Sequence, residues 1–297
     1  WFRWESVEFY PTSITRQNSF PPLSEYALLH LQILSGSDQW ANLVQWYSFL
    51  GSIVLVSLIA RDIFLKPVYQ VTAGFLAATL PMAILQSTST QNDLVVSMFC
   101  LGFVYFLIQL TRENSPDNQF FASMALGMAL LTKGTAYLYC AGMGLMIGGG
   151  TLLQVLKAGK KDQAKRLLIS FTLIVFTALL LNSGMYAKNY QLYGNPISND
   201  NDHILNGQFS LLVLGTNIVR NLAVHLGVPF PEINQIITRF VENILGVYVN
   251  YAPATFEQSL FQVEFVIHED VAGNLPQLLF LIFALIIFLW MRVRKNE

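Results

Sequence analysis

The amino-acid sequence predicts an all-α, polytopic membrane protein with about seven transmembrane helices and further helices along the outer face of the membrane. Three observations predict this class. Hydrophobic residues make up 54% of the 297 residues and charged residues only 12%, whereas charged residues average about 25% in soluble domains. The mean hydropathy is +0.47. The hydrophobic residues also form runs, most of which approach the ~20 residues needed to cross a bilayer.

The formal net charge of -1 provides no basic surface for nucleic acid, so the positions of the charges carry more information than their total. Cys100 and Cys140 both lie within apolar runs, where the expected role is that of a small buried hydrophobic residue. The chain opens on Trp1-Phe2-Arg3-Trp4, with no initiator Met and no signal-peptide pattern. We therefore expect a fragment or a processed chain.

Four segments are predicted along the chain. Residues 1–40 are part of a first outer loop, with an amphipathic helix that begins after Pro22 and lies along the membrane interface. Residues 41–196 form a transmembrane core of six spans. Residues 197–274 form an outer loop or lid, and residues 275–297 contain the last span and a cytoplasmic basic end. The apolar runs that predict the spans are 42–60, 68–87, 94–111, 120–132, 135–155, 167–186 and 275–291.

The apolar stretch 120–155 is too long for one span, and Lys133-Gly134 lies near its middle. A chain reversal at Lys133 gathers 11 of the 17 Lys and Arg residues on one side of the membrane, as expected for the cytoplasmic side. We therefore predict two spans that turn at Lys133, and an outer face that contains Asp93 and Lys133. The residues assigned to the inner side are Arg61, Lys66, Arg112, Lys157, Lys160, Lys161, Lys165, Arg166, Arg292, Arg294 and Lys295.

Asp93 follows the polar stretch Ser87-Thr88-Ser89-Thr90-Gln91-Asn92 and opens an apolar run. One interpretation is helix capping, since an acidic residue at a helix start is stabilised by unpaired backbone N–H groups and by the helix dipole. The other is a catalytic carboxylate at the membrane surface that acts as, or orients, a general base. We take Asp93 as the catalytic candidate, with Gln91 and Asn92 beside it as substrate-binding candidates.

Lys133 stands in the sequence Thr132-Lys133-Gly134-Thr135. A lysine at the end of a span can simply extend its ammonium group to the lipid headgroups. An ammonium group beside hydroxyl groups at a helix turn also suits a phosphate at the interface. Lys133 and Thr132 are therefore substrate-binding candidates.

His268-Glu269-Asp270 places an imidazole and two carboxylates in the predicted outer loop. A solvated loop is the simpler interpretation, and a supporting substrate-binding role near Asp93 is the alternative. No dedicated metal-ligand spacing is present, and no cofactor is predicted with certainty. The alternative is a divalent cation that carboxylates and a lipid phosphate bind together.

Several of these motifs, in this order, resemble those of the GT-C glycosyltransferases of the dolichyl-phosphate-mannose protein mannosyltransferase and aminoarabinose transferase type, often grouped as glycosyltransferase family 39. The resemblance covers residues 1–197. The motifs are Phe20-Pro21-Pro22-Leu23, Thr90-Gln91-Asn92-Asp93-Leu94, Leu126 to Gly134, and Asn189-Tyr190 to Gly194-Asn195-Pro196.

The resemblance implies an inverting transfer of a sugar, hexosyl or pentosyl, from a polyprenyl-phosphate donor on the extracytoplasmic face of a plasma, inner or equivalent membrane. Asp93 resembles the second acidic residue of the family, and Lys133 the lysine near the lipid phosphate. Lys188 stands where relatives often carry Arg before Asn-Tyr, so the resemblance implies a substrate-binding role for it in contact with the phosphate. The leading acidic residue of the family is expected upstream of Trp1, so the fragment is expected to lack it and to be inactive alone.

The predicted partners are the lipid bilayer, the lipid-linked donor and an acceptor that is a glycan, a lipid or a protein. Two other functions are kept as alternatives to the enzyme. One is a transporter or flippase of lipid-linked sugars, and the other is a non-catalytic membrane scaffold. Polar groups near the membrane midplane would favour a transporter, whereas the predicted spans between residues 42 and 111 carry ionisable residues only at their ends.

Overall fold

The structure is a computed structural model that describes residue 12 and residues 16–197, 210–251 and 260–295. Within these ranges the regular structure is helical throughout. The described residues belong to two compact units, one within residues 1–79 and 86–202 and the other within 80–85 and 203–297. The helical structure of the described residues confirms the prediction of an all-α protein.

The helices of the first unit begin and end close to the predicted apolar runs. A π-helical stretch, Leu145–Gly149, makes the segment Thr135–Lys157 continuous. The helices are α1 (Arg16–Ser19), α2 (Leu23–Ser35), α3 (Leu43–Phe64), α4 (Pro67–Ala78), α5 (Pro81–Gln86, shared between the units), α6 (Asp93–Arg112), α7 (Pro116–Thr132), α8 (Thr135–Gly144), α9 (Gly150–Lys157), α10 (Lys161–Leu181) and α11 (Ser183–Tyr193).

Four helical segments in the described part of the chain are long and apolar enough to cross a membrane: α3, α6, α8 to α9, and α10. The predicted count of about seven spans is therefore not confirmed. The run 68–87, predicted as one span, is divided into α4 and α5. Pro81 explains the interruption, because proline lacks the N–H that would continue a helix and disfavours helical backbone at the preceding Leu80. Helix α7, with 17 residues, is also shorter than a typical span.

The predicted reversal at Lys133 is present. Helix α7 ends at Thr132 and α8 begins at Thr135. Asp93 at the start of α6 contacts Lys133, and Cys100 further along α6 lies 3.5 Å from Cys140 of α8, Sγ to Sγ. Helices α6 and α8 therefore run in the same direction, while α7, joined to the end of α6 by a short turn, runs in the opposite one.

Helix α6 lies at the centre of the first unit and packs against α3, α7 and α8. Small residues on α7 allow close helix packing, as is common in membrane proteins. A Cβ atom added to Gly127 would lie 2.5 Å from Leu181 Cδ1 on α10. The buried core residues are Val96, Phe103, Leu107, Leu110, Ala122, Ala125, Leu126, Ala129, Leu130, Ala136, Cys140, Ile174 and Ala178.

A buried carboxylate joins α3 to α6 at the end of α6 opposite Asp93. Asp62 accepts a hydrogen bond from Arg61 Nε at 2.9 Å and contacts Gln109 and Arg112 of α6. Its side chain is only 9% exposed. A buried carboxylate is tolerated because it is paired with cations and hydrogen-bonded, so Asp62 fixes the relative position of α3 and α6.

The described residues of the second unit include the helices α12 (Leu211–Val224), α13 (Pro231–Leu245) and α14 (Leu275–Lys295) and a short 3-10 helix (Gly246–Tyr248). Helices α12 and α13 pack around a small core with Val249, Phe261 and Val263. The extended segment beside α13 is held by a hydrogen bond from the Val263 N–H to Thr238 Oγ1, 3.0 Å long. The predicted loop 197–274 therefore includes ordered helical structure, while residues 198–209 and 252–259 lie outside the described ranges.

Candidate functional site

The candidate site is built around the start of α6. The polar stretch before it forms a compact turn, in which the Ser89 hydroxyl donates to the Gln86 carbonyl and accepts from the Gln91 N–H. The first backbone N–H groups of α6 are capped by a residue of another helix. Gln45 Oε1 on α3 accepts hydrogen bonds from the Leu94 N–H at 3.0 Å and the Val95 N–H at 3.2 Å. A neutral amide therefore satisfies donors that a helix start leaves unpaired.

Asp93 forms an ion pair with Lys133. Lys133 Nζ lies 2.7 Å from Asp93 Oδ1, and the two side chains are 33% and 38% exposed. The hydrogen bonds that cap α6 come from Gln45, so the Asp93 carboxylate is directed to Lys133 rather than into its own helix end. The two residues predicted to share one face of the membrane are thus in direct contact and accessible to solvent.

Glu25 is part of the same group, and the sequence analysis missed it. It lies in the first turn of α2, where Glu25 Oε1 accepts a hydrogen bond from Asn92 Nδ2 at 3.2 Å. Burial raises the pKa of the Glu25 carboxyl, while hydrogen bonds from its own backbone and from Asn92, together with the charge of Lys133, act in the opposite direction. Its position directly after the Pro21-Pro22 motif was the available signal.

The other candidates in the first unit occupy different environments. Asn92 donates to Glu25, and Gln91 Oε1 accepts a hydrogen bond from Gln86 Nε2 at 3.4 Å. Thr132 is buried, and its hydroxyl donates to the Met128 carbonyl of its own helix at 2.7 Å. That bond uses the Thr132 proton inside α7, so a ligand would meet only the remaining acceptor capacity of the hydroxyl.

Lys188 lies half-buried on α11, and its predicted substrate-binding role stays a prediction. The neighbouring Asn189 is buried and donates to the Ser19 carbonyl at 3.1 Å, which joins α11 to the segment before α2. The Tyr137 and Tyr186 hydroxyl groups lie 2.5 Å apart and join α8 to α11. Asn189 of the Asn-Tyr motif therefore has a structural role, together with Tyr186, in holding α11 within the first unit.

A cavity of about 530 Å³ lies between α2 and the first turns of α3 and α6. Its walls are mainly apolar, as is usual for small-molecule sites. Ser24, the neighbour of Glu25, is one of the few polar residues in its wall. The other residues around the cavity are Leu23, Ala27, His30, Leu31, Leu43, Val44, Tyr47, Ser48, Val95, Met98, Phe99 and Met128.

His268, Glu269 and Asp270 belong to the second unit. His268 Nδ1 lies 3.6 Å from Asp270 Oδ2, and both side chains are more than half exposed. The Asp270 backbone N–H also approaches His268 Nδ1, at 3.3 Å. These contacts form a turn at the protein surface. The predicted supporting role of the three residues stays a prediction.

Metal-ligating side chains are sparse in the part of the chain that the structure describes. No group of three or more His, Cys, Asp and Glu residues there is arranged to hold a metal ion. The chemistry available at the start of α6 is therefore that of two carboxylates, Glu25 and Asp93, and one ammonium group, Lys133. Such a group can bind a phosphate, accept hydrogen bonds from hydroxyl groups and accept a proton.

The apolar helices and this site together define a membrane-embedded helical protein with a polar site at one end of its bundle. A family model described as dolichyl-phosphate-mannose-protein mannosyltransferase matches residues 19–181, more than half of the chain. The chain therefore belongs to this family of membrane glycosyltransferases, which use polyprenyl-phosphate sugar donors. The matched range contains Glu25, Asp93 and Lys133 but not Lys188 or His268–Asp270.

Searches of curated proteins and of solved structures found no match.

Proposed function

We propose that the protein transfers a sugar from a polyprenyl-phosphate donor to an acceptor on the extracytoplasmic face of the membrane. The observation that carries the proposal is the solvent-accessible ion pair between Asp93 and Lys133 at the end of the bundle. Family membership supports the reaction class, and the distribution of Lys and Arg supports the side of the membrane.

In the proposed reaction, an acceptor hydroxyl oxygen attacks the anomeric carbon of the donor sugar. The bond between that carbon and the phosphate oxygen breaks, and the electron pair leaves with the polyprenyl phosphate. Lys133 binds the phosphate and stabilises the negative charge that develops on it. Asp93 orients the acceptor hydroxyl from the face opposite the leaving group and accepts its proton as the new bond forms, so the anomeric configuration is inverted. The lipid chain lies against the apolar helices.

The distribution of charge within the helices favours this one-sided site over a transporter. Helix α3 has its ionisable residues Arg61 and Asp62 in its last turn, and α6 has Asp93 and Arg112 at its two ends. Transporters with alternating access place polar groups near the membrane midplane. Neither α3 nor α6 has a Lys, Arg, Asp or Glu residue in its middle turns.

The proposal is tested with Asp93→Asn and Lys133→Met in the full-length protein, assayed for sugar transfer from radiolabelled dolichyl-phosphate-mannose to membrane acceptors. A charge-assisted hydrogen bond is worth about 1.5–3 kcal/mol, so Lys133→Met should lower kcat/KM by about 10- to 100-fold. Retention of near-normal transfer by both variants would contradict the proposal. Counterflow of the lipid-linked sugar across vesicles without transfer would favour a transporter instead.

A further inference from the structure

The short connector between α9 and α10, together with the helix ends beside it, carries a dense cluster of basic residues. Residues 157–166, the basic cluster, contain five basic residues and one acidic residue, for a formal net charge of +4. In the part of the chain that the structure describes, none of the five forms an ion pair with a carboxylate. The cluster is therefore available to an anion from outside the chain. Its basic residues, all exposed, are Lys157, Lys160, Lys161, Lys165 and Arg166.

The basic cluster lies where two membrane-type helices meet. The helical segments on either side of the connector, Thr135–Lys157 and Lys161–Leu181, are both long and apolar enough to cross a membrane. The connector is a tight turn, in which the Lys160 N–H donates to the Val155 carbonyl at 3.1 Å. Because α8 runs in the same direction as α6, the cluster lies at the end of the bundle opposite Asp93. A turn this short between two spans keeps its charges at the level of the lipid headgroups.

Exposed apolar residues continue from the basic cluster along both helices. On α10, Lys165 shares one helical face with Ile169 and Phe176, and on α9 Lys157 shares a face with Leu153, four residues earlier. Helix α9 packs against α10. At a rise of about 1.5 Å per residue, Phe176 lies about 16 Å beyond Lys165 along the helix, which is about half of the ~30 Å hydrocarbon core. The surface is therefore cationic at the headgroup level and apolar through the depth of one leaflet.

We propose that the basic cluster and the apolar surface beside it bind an anionic phospholipid. The phosphate accepts hydrogen bonds from the lysine ammonium groups, and the acyl chains lie against the exposed apolar residues of α9 and α10. Clusters of about four to eight Lys and Arg residues directly beside a membrane span attract anionic lipids in this way. A soluble anion would match the charges but not the apolar surface. The site is at the opposite end of the bundle from Asp93 and Lys133, so its occupant is a bound membrane lipid and not the sugar donor.

The test compares two lipids that share their acyl chains and differ in headgroup charge. Purified full-length protein in detergent is titrated with dioleoyl phosphatidylglycerol and with dioleoyl phosphatidylcholine, and bound lipid is counted by native mass spectrometry. The wild type should bind the anionic phosphatidylglycerol more tightly. One Lys near an anionic surface contributes about fivefold to affinity, so Lys161→Gln should lower this preference about fivefold. The double variant Lys161→Gln, Lys165→Gln should lower it by about 25-fold if the two charges act independently.

Lys66→Gln is the matched control, because Lys66 is an exposed lysine in the connector between α3 and α4, at the same end of the bundle but outside the basic cluster. It should leave the preference nearly unchanged. Equal binding of the two lipids by the wild type, or an equal loss in Lys66→Gln and Lys161→Gln, would overturn the proposal. Displacement of phosphatidylglycerol by an equal concentration of inorganic phosphate would also overturn it, because the site would then bind free anions.

Discussion

The ion pair between Asp93 and Lys133 gives a prediction that separates a structural role from a chemical one. Both side chains are about one-third exposed, so solvent screens their attraction and the pair contributes at most about 1 kcal/mol to the free energy of unfolding. For a domain of 150–250 residues, 1 kcal/mol corresponds to a change in Tm of about 2–4 °C. Loss of either charge should therefore lower Tm by no more than about 4 °C.

The effect on transfer should be much larger. In the proposed reaction, Lys133→Met removes the charge that stabilises the leaving phosphate, and Asp93→Asn removes the carboxylate that orients the acceptor hydroxyl and accepts its proton. Groups that act on the reacting atoms contribute about 10²- to 10⁴-fold when they assist proton transfer. We expect Asp93→Asn to lower kcat by at least about 100-fold.

A double-mutant cycle with Asp93→Asn, Lys133→Met and the double variant compares the effects on stability and on sugar transfer quantitatively. The coupling in the free energy of unfolding should be about 1 kcal/mol or less, measured by thermal unfolding in detergent and in nanodiscs. Transfer should be nearly as low in each single variant as in the double variant, because the two residues act on the same step. A fall in Tm of more than about 10 °C in either single variant would refute this reasoning and make the pair mainly a structural contact.

Three further predictions concern other parts of the first unit. Asp62→Ala should lower the free energy of unfolding by about 1–3 kcal/mol, measured by denaturant or thermal unfolding, because the Gln109 amide loses its buried acceptor. The Arg112 hydrogen bond to the Asp62 backbone carbonyl stays in this variant. The same loss in Arg61→Ala, whose side chain is 48% exposed, would argue against this reasoning. Gly127→Val should lower Tm and protein yield, because its side chain would collide with Leu181. Burial raises the pKa of Glu25, so the folded state holds the Glu25 proton more tightly than the unfolded state. Stability should therefore fall as pH rises from the ordinary pKa of a glutamate through the raised pKa of Glu25. Glu25→Gln should remove this dependence from Tm measured against pH.

The sequence predicted the parts of the site that depend on the membrane. The distribution of Lys and Arg placed Asp93 and Lys133 on one face although they are 40 residues apart, and the structure brings them into contact. The turn at Lys133 follows from the same argument. These features were predictable because a bilayer restricts each helix to one of two directions, and charge in the connecting loops indicates which.

The other residues of the site depend on contacts between distant parts of the chain, which the sequence alone does not reveal. Glu25 lies 67 residues from Asn92, and Gln45 lies 49 residues from Leu94. Apart from the position of Glu25 soon after Pro21-Pro22, local patterns contain no sign that either residue belongs to the site. The count of about seven spans is not confirmed in the described residues, and the run 68–87, predicted as one span, is interrupted at Pro81. Hydropathy measures the tendency to enter a bilayer, whereas continuity of a helix depends on each backbone N–H.

The capping of α6 by Gln45 explains how one short stretch can serve both structure and chemistry. A carboxylate at a helix start would normally be used to satisfy the exposed N–H groups. Here the neutral Gln45 amide does so. The Asp93 carboxylate is therefore available to Lys133 and, in the proposed reaction, to a substrate. The positive end of the α6 dipole stabilises the Asp93 carboxylate without a hydrogen bond from that side chain. In the proposed reaction, the lipid phosphate replaces Asp93 beside Lys133, and the Asp93 carboxylate then accepts a hydrogen bond from the acceptor hydroxyl.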